Sequence, residues 1–219
     1  MHLAKSAWAL ARLYRADAAL IAFFAYLAGA QLSGAFDPVL DLLLAALVSG
    51  VSMNFIYSFN SWADRQEDAI NKPHRPIPSG ELTEGGAFRY TMVLLVISVV
   101  YPLSFWHTPA TLVLFYLPPL LGVLYSAGPR LKRNPITAAI TTSLILVTPM
   151  MLGYAMHSND SSIMPFFGGL FGFCLGAIPL KDIEDEEGDV AAGLGNWLAR
   201  LGPRKLLGYA SVVMVADLV

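Results

Sequence analysis

Six mostly apolar stretches of about 20 residues each fill most of this 219-residue chain, and they constrain its fold more than any other feature. A helix needs a stretch of that length to cross the hydrocarbon core of a bilayer. Because lipid offers no hydrogen-bond partners, the backbone of such a segment must be paired internally, as it is in a helix. The predicted spans are residues 16–35, 39–61, 88–106, 109–127, 136–156 and 162–181.

The composition is also typical of a membrane protein. Hydrophobic residues make up 56% of the chain and charged residues 14%, whereas soluble domains carry about 25% charged residues. We therefore predict an all-α, polytopic transmembrane helical bundle formed by a single domain, residues 1–219, surrounded by membrane lipid and without a nucleic-acid partner. A seventh apolar stretch begins near Leu206 but is too short to cross before Val219. We expect the domain to be incomplete at its C-terminus.

The basic residues predict the orientation of the spans. All 14 lysines and arginines lie in the N-terminal segment or in segments 65–89, 130–133 and 181–205. Because successive spans alternate in direction, these segments share one face, and the positive-inside rule makes that face cytoplasmic. We predict a multi-pass protein of the cell membrane with its N-terminus and active-site loops in the cytoplasm. The loops expected on the other face are 33–38, 106–109 and 157–162.

Two acidic clusters lie at the predicted cytoplasmic ends of the second and sixth spans. The first acidic cluster consists of Asn60, Asp64 and Asp68, at i, i+4 and i+8, which places its members on one helix face. The second acidic cluster is spaced i, i+3 and i+7, with the same consequence. Its members are Asp182, Asp185 and Asp189.

This pattern favours a metal and phosphate site. Crowded carboxylates repel one another unless cations neutralise them, and oxygen ligands without His or Cys suit Mg²⁺ or Ca²⁺. One such cluster alone would most simply be a solvated rim. Two clusters at the ends of otherwise apolar helices favour function, because ionisable residues near a membrane are costly. A transporter would instead carry its ionisable residues near the bilayer midplane.

Basic residues follow the acidic ones. Lys72 and Arg75 lie in a Pro-rich loop, residues 71–80, directly after the first acidic cluster. Lys132 and Arg133 follow the fourth span, shortly after Tyr125. Topology alone would explain cations at cytoplasmic helix ends. Prolines that fix the course of a loop favour phosphate contact instead, and both interpretations stay open for this loop.

The two acidic clusters and the basic residues that follow them form three sequence motifs. In their order along the chain, these motifs resemble the UbiA superfamily of membrane-embedded prenyltransferases. The resemblance covers nearly the whole chain, from Arg15 to Asp189. The second and third motifs are most similar to the branch that contains digeranylgeranylglyceryl phosphate synthase and chlorophyll synthase. The motifs are Asn60-x₃-Asp64-x₃-Asp68 with the Pro-rich loop, Leu124-Tyr125-Ser126 to Lys132-Arg133, and Lys181-Asp182-Ile-Glu-Asp185-x-Glu-Gly-Asp189.

The resemblance implies a bundle, typically of nine helices, around a central cavity. It implies Mg²⁺-dependent transfer of a polyprenyl group from an allylic polyprenyl diphosphate to a hydrophobic or amphipathic acceptor, an aromatic or glycerol-phosphate lipid, with release of diphosphate. By matching position, the implied metal shell is Asn60, Asp64, Asp68, Asp182, Asp185 and Asp189. The implied diphosphate contacts are Arg15, Lys72, Arg75, Tyr125, Lys132 and Arg133, and the implied catalytic residues are Asp64, Asp68, Asp182 and Asp185.

The chain departs from the family pattern at Ser61, at 16–18 and at 196–198, and it lacks the last two helices. Two alternatives stay open: a terpene cyclase that ionises the same donor without an acceptor, and a non-catalytic membrane protein that binds prenyl lipids. We also expect Asp64 and Asp182 to approach each other across the cytoplasmic mouth of the bundle, close enough for metal and one diphosphate to bridge them.

Overall fold

The computed structural model describes residues 9–34, 39–104, 108–181 and 196–216, and within this part of the chain every regular element is helical. A helical turn at residues 9–13 precedes the first helix. The helices are α1 (Ala16–Leu32), α2 (Val39–Ala63), α3 (Arg65–Asn71), α4 (Glu84–Leu103), α5 (Pro109–Ser126), α6 (Pro135–Ala155), α7 (Met164–Ala177), α8 (Trp197–Leu201) and α9 (Pro203–Ala216). Short 3₁₀ turns occupy Leu131–Arg133, Ser161–Ile163 and Ile178–Lys181.

The prediction of an all-α, polytopic membrane protein is confirmed. Among the described residues, five helical segments are long and apolar enough to cross a bilayer: α2, α4, α5, α6 and Ser161–Leu180. The remaining predicted span, residues 16–35, forms α1, an apolar helix of 17 residues, which is near the lower limit of about 17 for a crossing helix. The seventh apolar stretch forms α9, which begins at Pro203.

Capping residues fix the starts of α4 and α5, and the start of α4 differs from the predicted span. α4 begins at Glu84, four residues before the predicted start, because the side chain of Thr83 accepts a hydrogen bond from the N–H of Gly86 (3.1 Å). An N-cap of this kind satisfies a backbone donor that the first turn leaves unpaired. Thr108 caps α5 in the same way, through the N–H of Thr111 (3.2 Å).

The chain divides into two compact units. The first unit comprises residues up to Gly128 together with Thr148–Ser158, and the second comprises Pro129–Val147 and the residues from Asn159 onward. α6 therefore contributes its first part to the second unit and its last part to the first.

In the first unit, α2 packs against α1, α4 and α5. Small residues allow the backbones to approach closely, as is common between membrane helices. A Cβ at Gly50 would lie 2.8 Å from the carbonyl oxygen of Ala19. α1 also packs against the last part of α6: a Cβ at Gly29 would overlap the carbonyl oxygen of Met150, and one at Gly153 would overlap that of Tyr26.

A small apolar cluster positions the N-terminal turn beside the Pro-rich loop. Ala9 and Leu13 are buried against Ile77, Leu82 and Ala87. The cluster joins the turn, the loop and the start of α4, which are far apart in sequence. It therefore determines which basic residues of the turn face the loop.

In the second unit, α7 packs against α9. The indole Nε1 of Trp197 donates a hydrogen bond to the carbonyl oxygen of Pro135 (3.1 Å), and its ring stacks on Tyr209 at 5.4 Å between centroids. Asn196 is buried and caps α8 by accepting from the N–H of Ala199 (3.1 Å). The departure from the family pattern at 196–198 thus supplies structural contacts within this unit.

Candidate functional site

The first acidic cluster lies where α2 ends and α3 begins. The prediction that it occupies one continuous helix is wrong in one respect: α2 ends at Ala63, Asp64 precedes α3 as its N-cap, and Asp68 lies in the first turn of α3. The backbone nevertheless keeps helical spacing. The N–H of Asp64 donates to the carbonyl of Asn60 (2.9 Å), and that of Asp68 donates to the carbonyl of Asp64 (2.7 Å). The three side chains therefore follow one another at intervals of one turn.

Both carboxylates of this cluster are buried. Asp64 is 8% exposed and Asp68 is 7% exposed. The amide Nδ2 of Asn60 donates to Asp64 Oδ2 (2.7 Å) and to the hydroxyl of Ser126 (3.1 Å) at the end of α5. Buried carboxylates are rare unless they are paired or bind a cation, so the burial argues against a solvated rim.

The Pro-rich loop brings a cation to this cluster. Arg75 Nη1 donates to Asp68 Oδ2 at 2.6 Å. The loop is held by its own backbone, because the N–H of Arg75 donates to the carbonyl of Lys72 (3.0 Å) and the N–H of Ser79 donates to the carbonyl of Arg75 (2.9 Å). Lys72 follows α3 directly, and its N–H donates to the carbonyl of Asp68 (2.8 Å).

A cavity of ≈ 50 Å³ opens beside the ion pair of Asp68 and Arg75, entirely within the first unit. Two further arginines, Arg12 and Arg15, line it. Three arginines thus line one cavity, and it is a candidate anion site because guanidinium groups bind phosphates through paired hydrogen bonds. The remaining lining residues are Leu13, Ser61, Pro76, Ile77 and Pro78.

Arg15 is held at this cavity by two contacts. It donates to both carboxylate oxygens of Asp17 (3.0 and 2.8 Å), and its guanidinium lies 5.0 Å from the centre of the Tyr57 ring. The hydrogen bond to Asp17 raises the pKa of Arg15, so this side chain stays charged. Both members of this ion pair are well exposed, and exposed pairs are weak enough for an entering anion to compete.

Arg12 was not among the site residues predicted from the sequence. Its Nη1 donates to both carboxylate oxygens of Glu81 (2.8 Å each), and its Nη2 donates to the carbonyl oxygen of His74 (2.5 Å). Arg12 thus ties the N-terminal turn to the Pro-rich loop that carries Arg75. The only signal in the sequence is its position three residues before Arg15, although the helical turn ends at residue 13 and the two arginines do not share one helix.

Replacing Arg12 by glutamine is expected to loosen the Pro-rich loop, because the variant loses the bonds to Glu81 and His74. Hydrogen exchange of the amides in residues 71–82 should speed up by up to about tenfold, a modest effect because the ion pair is partly exposed. Arg89→Gln is the matched control, since Arg89 donates within its own helix to the carbonyl of Gly85 (3.3 Å). Unchanged amide hydrogen exchange in the Arg12 variant would show that the loop keeps its conformation without the contacts of Arg12.

The other predicted site residues lie elsewhere or outside the described residues. Tyr125 lies near the end of α5 in the first unit, next to the Ser126 that contacts Asn60. Lys132 and Arg133 lie in the second unit, where Lys132 is 7% exposed and Arg133 is exposed. The second acidic cluster (Asp182, Asp185, Asp189) falls outside the described residues, as does the expected approach of Asp64 to Asp182.

Comparison with known proteins identifies relatives along most of the chain. A sequence model of the UbiA prenyltransferase family matches residues 19–219. The chain is 31% identical over 188 residues to the digeranylgeranylglyceryl phosphate synthase of Methanothrix thermoacetophila, which covers 85% of this chain and 67% of the relative. It is 33% identical over 182 residues to the chloroplastic chlorophyll synthase of Arabidopsis thaliana, covering 76% of this chain and 46% of the relative.

The fold also matches a solved structure. A UbiA homologue from Archaeoglobus fulgidus, determined with GPP and Mg²⁺ bound, superimposes with a TM-score of 0.81 at 22% identity, covering 94% of this chain and 74% of that one. At this identity the likeness concerns the fold. The chain spans about half to two thirds of the length of the two curated relatives.

Proposed function

Since this chain belongs to the UbiA prenyltransferase family, we propose that it transfers a polyprenyl group from an allylic polyprenyl diphosphate to an aromatic or glycerol-phosphate lipid acceptor and releases diphosphate. The acceptor class is supported by the relatives, which are named as digeranylgeranylglyceryl phosphate and chlorophyll synthases. The observation that carries the proposal is the cavity beside Asp68, which three arginines line in a chain with few charged residues.

The first acidic cluster fits a magnesium ion. It offers one amide and two buried carboxylates, which is the oxygen chemistry that Mg²⁺ prefers. Among the described residues, no group of three or more His, Cys, Asp or Glu side chains could hold a metal. Mg²⁺ is commonly bound by one or two carboxylates plus substrate phosphates, so we propose that Asn60, Asp64 and Asp68 hold it together with the donor. We propose the second acidic cluster as the other half of this shell.

When bound, Mg²⁺ would neutralise charge on the leaving diphosphate. The arginine side chains contribute to the same task. Arg15 and Arg75 would bind the diphosphate oxygens through charge-assisted hydrogen bonds, with Lys72 nearby on the Pro-rich loop. We assign Tyr125, Lys132 and Arg133 to the same role because they match the family motif.

The apolar helices protect the reacting carbon from water. An allylic diphosphate ionises when the bond from carbon to oxygen breaks and the electron pair leaves with the diphosphate. Water would capture the resulting cation, so productive transfer needs an apolar surrounding in which the acceptor is the available nucleophile. Aromatic side chains, of which the chain holds 12 Phe, 9 Tyr and 4 Trp, can stabilise a cation with their ring faces.

The proposed function is tested by incubating the purified protein with geranylgeranyl diphosphate, Mg²⁺ and a panel of phenolic and glycerol-phosphate acceptors. We expect release of diphosphate that depends on Mg²⁺ and on one acceptor class, with a product of the corresponding added mass. Diphosphate release accompanied by a cyclic hydrocarbon and no adduct would indicate a cyclase. Donor binding without any release would indicate a non-catalytic lipid-binding protein.

We propose that the protein lies in the cell membrane with the first acidic cluster on the cytoplasmic side. In a Cys174→Ser background, single cysteines at Ser33 and Ser158 should react with a membrane-impermeant maleimide from the outside of intact cells, and a cysteine at Ser79 should not. The reason is the absence of Lys and Arg from the loops that carry Ser33 and Ser158. Labelling of Ser33 and Ser79 positions from the same side would contradict this topology.

A further inference from the structure

We propose that Arg75 is an exchangeable counter-ion: it pairs with Asp68 while no diphosphate is bound, and moves to the diphosphate when one enters. The Asp68 carboxylate then becomes available to the metal only together with the donor. This inference rests on the proposed function, because it concerns how the same site assembles.

The first support is that Arg75 and a metal ion compete for the same atoms. Arg75 Nη1 lies 2.6 Å from Asp68 Oδ2, and the Asp68 side chain is only 10% exposed. The guanidinium already neutralises this carboxylate in part, and a metal ion bound at the same carboxylate would have its positive charge close to the guanidinium. Metal binding at Asp68 is therefore disfavoured while Arg75 stays and favoured when it leaves.

The second support is that the side chain can move while its backbone stays in place. The backbone of Arg75 is fixed by hydrogen bonds with Lys72 and Ser79 (3.0 and 2.9 Å), and Ile77 is buried in the apolar cluster under the loop. Arg75 and Asp68 both line the ≈ 50 Å³ cavity. A ligand in this cavity would therefore lie beside the ion pair, and the guanidinium could turn toward it by rotation about the side-chain bonds.

The third support is the charge of the place to which Arg75 would move. Arg12 and Arg15 also line the cavity, and they pair with Glu81 and Asp17. An Arg75 released without an anion would therefore lose its ion pair with Asp68 and find these two nearby carboxylates already paired. A diphosphate reverses this balance, because it offers oxygens that accept paired hydrogen bonds from a guanidinium. Metal and diphosphate should therefore bind with positive coupling through Arg75, and each should raise the affinity of the other by the same factor.

The consequence for function is an order of assembly. Divalent cations alone bind poorly, because Asp68 is already neutralised. When the donor binds, its diphosphate draws Arg75 away from Asp68, and the Asp68 carboxylate becomes available to the metal. The metal site is therefore complete only when the donor is present.

The test measures Mn²⁺ binding to the whole chain in detergent by electron paramagnetic resonance, with and without inorganic pyrophosphate, at free concentrations corrected for the soluble complex. For the wild type we expect weak binding of Mn²⁺ alone and a tightening of about 10- to 100-fold with pyrophosphate. Arg75→Gln should bind Mn²⁺ alone about tenfold more tightly and lose most of the coupling. Arg75→Lys retains a cation beside Asp68, so Mn²⁺ alone should stay weakly bound, but it lacks the paired donors of a guanidinium, so part of the coupling should be lost.

Arg15→Gln distinguishes the loss of the Arg75–Asp68 ion pair from the general effect of removing a positive charge at the cavity. Arg15 lines the same cavity but pairs with Asp17. Equal tightening in Arg15→Gln and Arg75→Gln would overturn the proposal, and so would unchanged or weaker Mn²⁺ binding in Arg75→Gln. The binding assay needs no turnover. A wild type that shows coupling but forms no prenylated product would refute the proposed function alone, whereas an active wild type without coupling would refute the exchange alone.

Discussion

Replacing Asp68 by alanine is expected to slow diphosphate release by about 10²- to 10³-fold or more, because loss of one charge-stabilising group commonly costs that much and loss of a metal costs more. Asp68 is 7% exposed and contacts Arg75, so the substitution removes a buried site carboxylate. Asp68→Asn, which keeps the shape of the side chain, should lose activity to a similar extent. The measurement is Mg²⁺-dependent diphosphate release at saturating donor.

The matched control is Asp41→Ala, since Asp41 lies in the first turn of α2, at the opposite end from Asn60. It should keep wild-type activity, and melting curves in detergent should show that all variants are folded. The substitution at Asp68 leaves apolar packing untouched but removes the counter-ion of the partly buried Arg75, so we expect some loss of stability without loss of the fold. Wild-type turnover in the Asp68 variants would show that the first acidic cluster is not part of the reacting site.

Replacing Gly29 by alanine is expected to destabilise the first unit by about 1–3 kcal/mol or more, the usual effect of overpacking. A Cβ at this position overlaps the backbone of Met150, which cannot rotate away as a side chain can. α1 and the last part of α6 would have to separate. Gly153→Ala should have a similar effect through the carbonyl of Tyr26. Thermal melting in detergent measures both.

Gly168→Ala is the control for these substitutions. Gly168 lies in α7, and nothing lies within 4 Å of the Cβ it would gain, so alanine there should be neutral or stabilising by about 0.5–1 kcal/mol because it restricts the unfolded chain. The double variant at Gly29 and Gly153 should cost less than the sum of the two single variants, because one separation of the helices relieves both overlaps. Full additivity would show that the two glycines act at independent contacts.

The spans could be predicted from the sequence because the constraint that lipid imposes on the backbone applies to each segment separately. Every segment of sufficient apolar length must pair its own backbone as a helix, whatever surrounds it. The ends of the helices depended on particular contacts instead. The start of α4 follows from the capping of Gly86 by Thr83, and the break between α2 and α3 falls at Asp64 within an otherwise helical sequence.

The sequence predicted which types of residue form the candidate site, but not which residues contact one another there. The spacing of Asn60, Asp64 and Asp68 indicated oxygen ligands at a helix end, and the structure gives the two carboxylates the burial that such a site requires. Arg12 was missed because its partner, Glu81, lies 69 residues away. No periodicity in the sequence connects an N-terminal turn with a Pro-rich loop.

The sequence by itself determined that the chain crosses a membrane, that its Lys and Arg residues are confined to a few segments between or before the apolar stretches, and that its acidic side chains suit a hard cation. These properties depend on length, hydropathy and residue type, and a neighbouring helix does not alter them. Only the tertiary structure decided that Asp68 pairs with Arg75, that Arg12 and Arg15 border one cavity with them, and that α1 meets α6 at glycines. These are contacts between segments distant along the chain. They form because packing of apolar surfaces brings the segments together, and the sequence pattern of either segment alone does not contain that information.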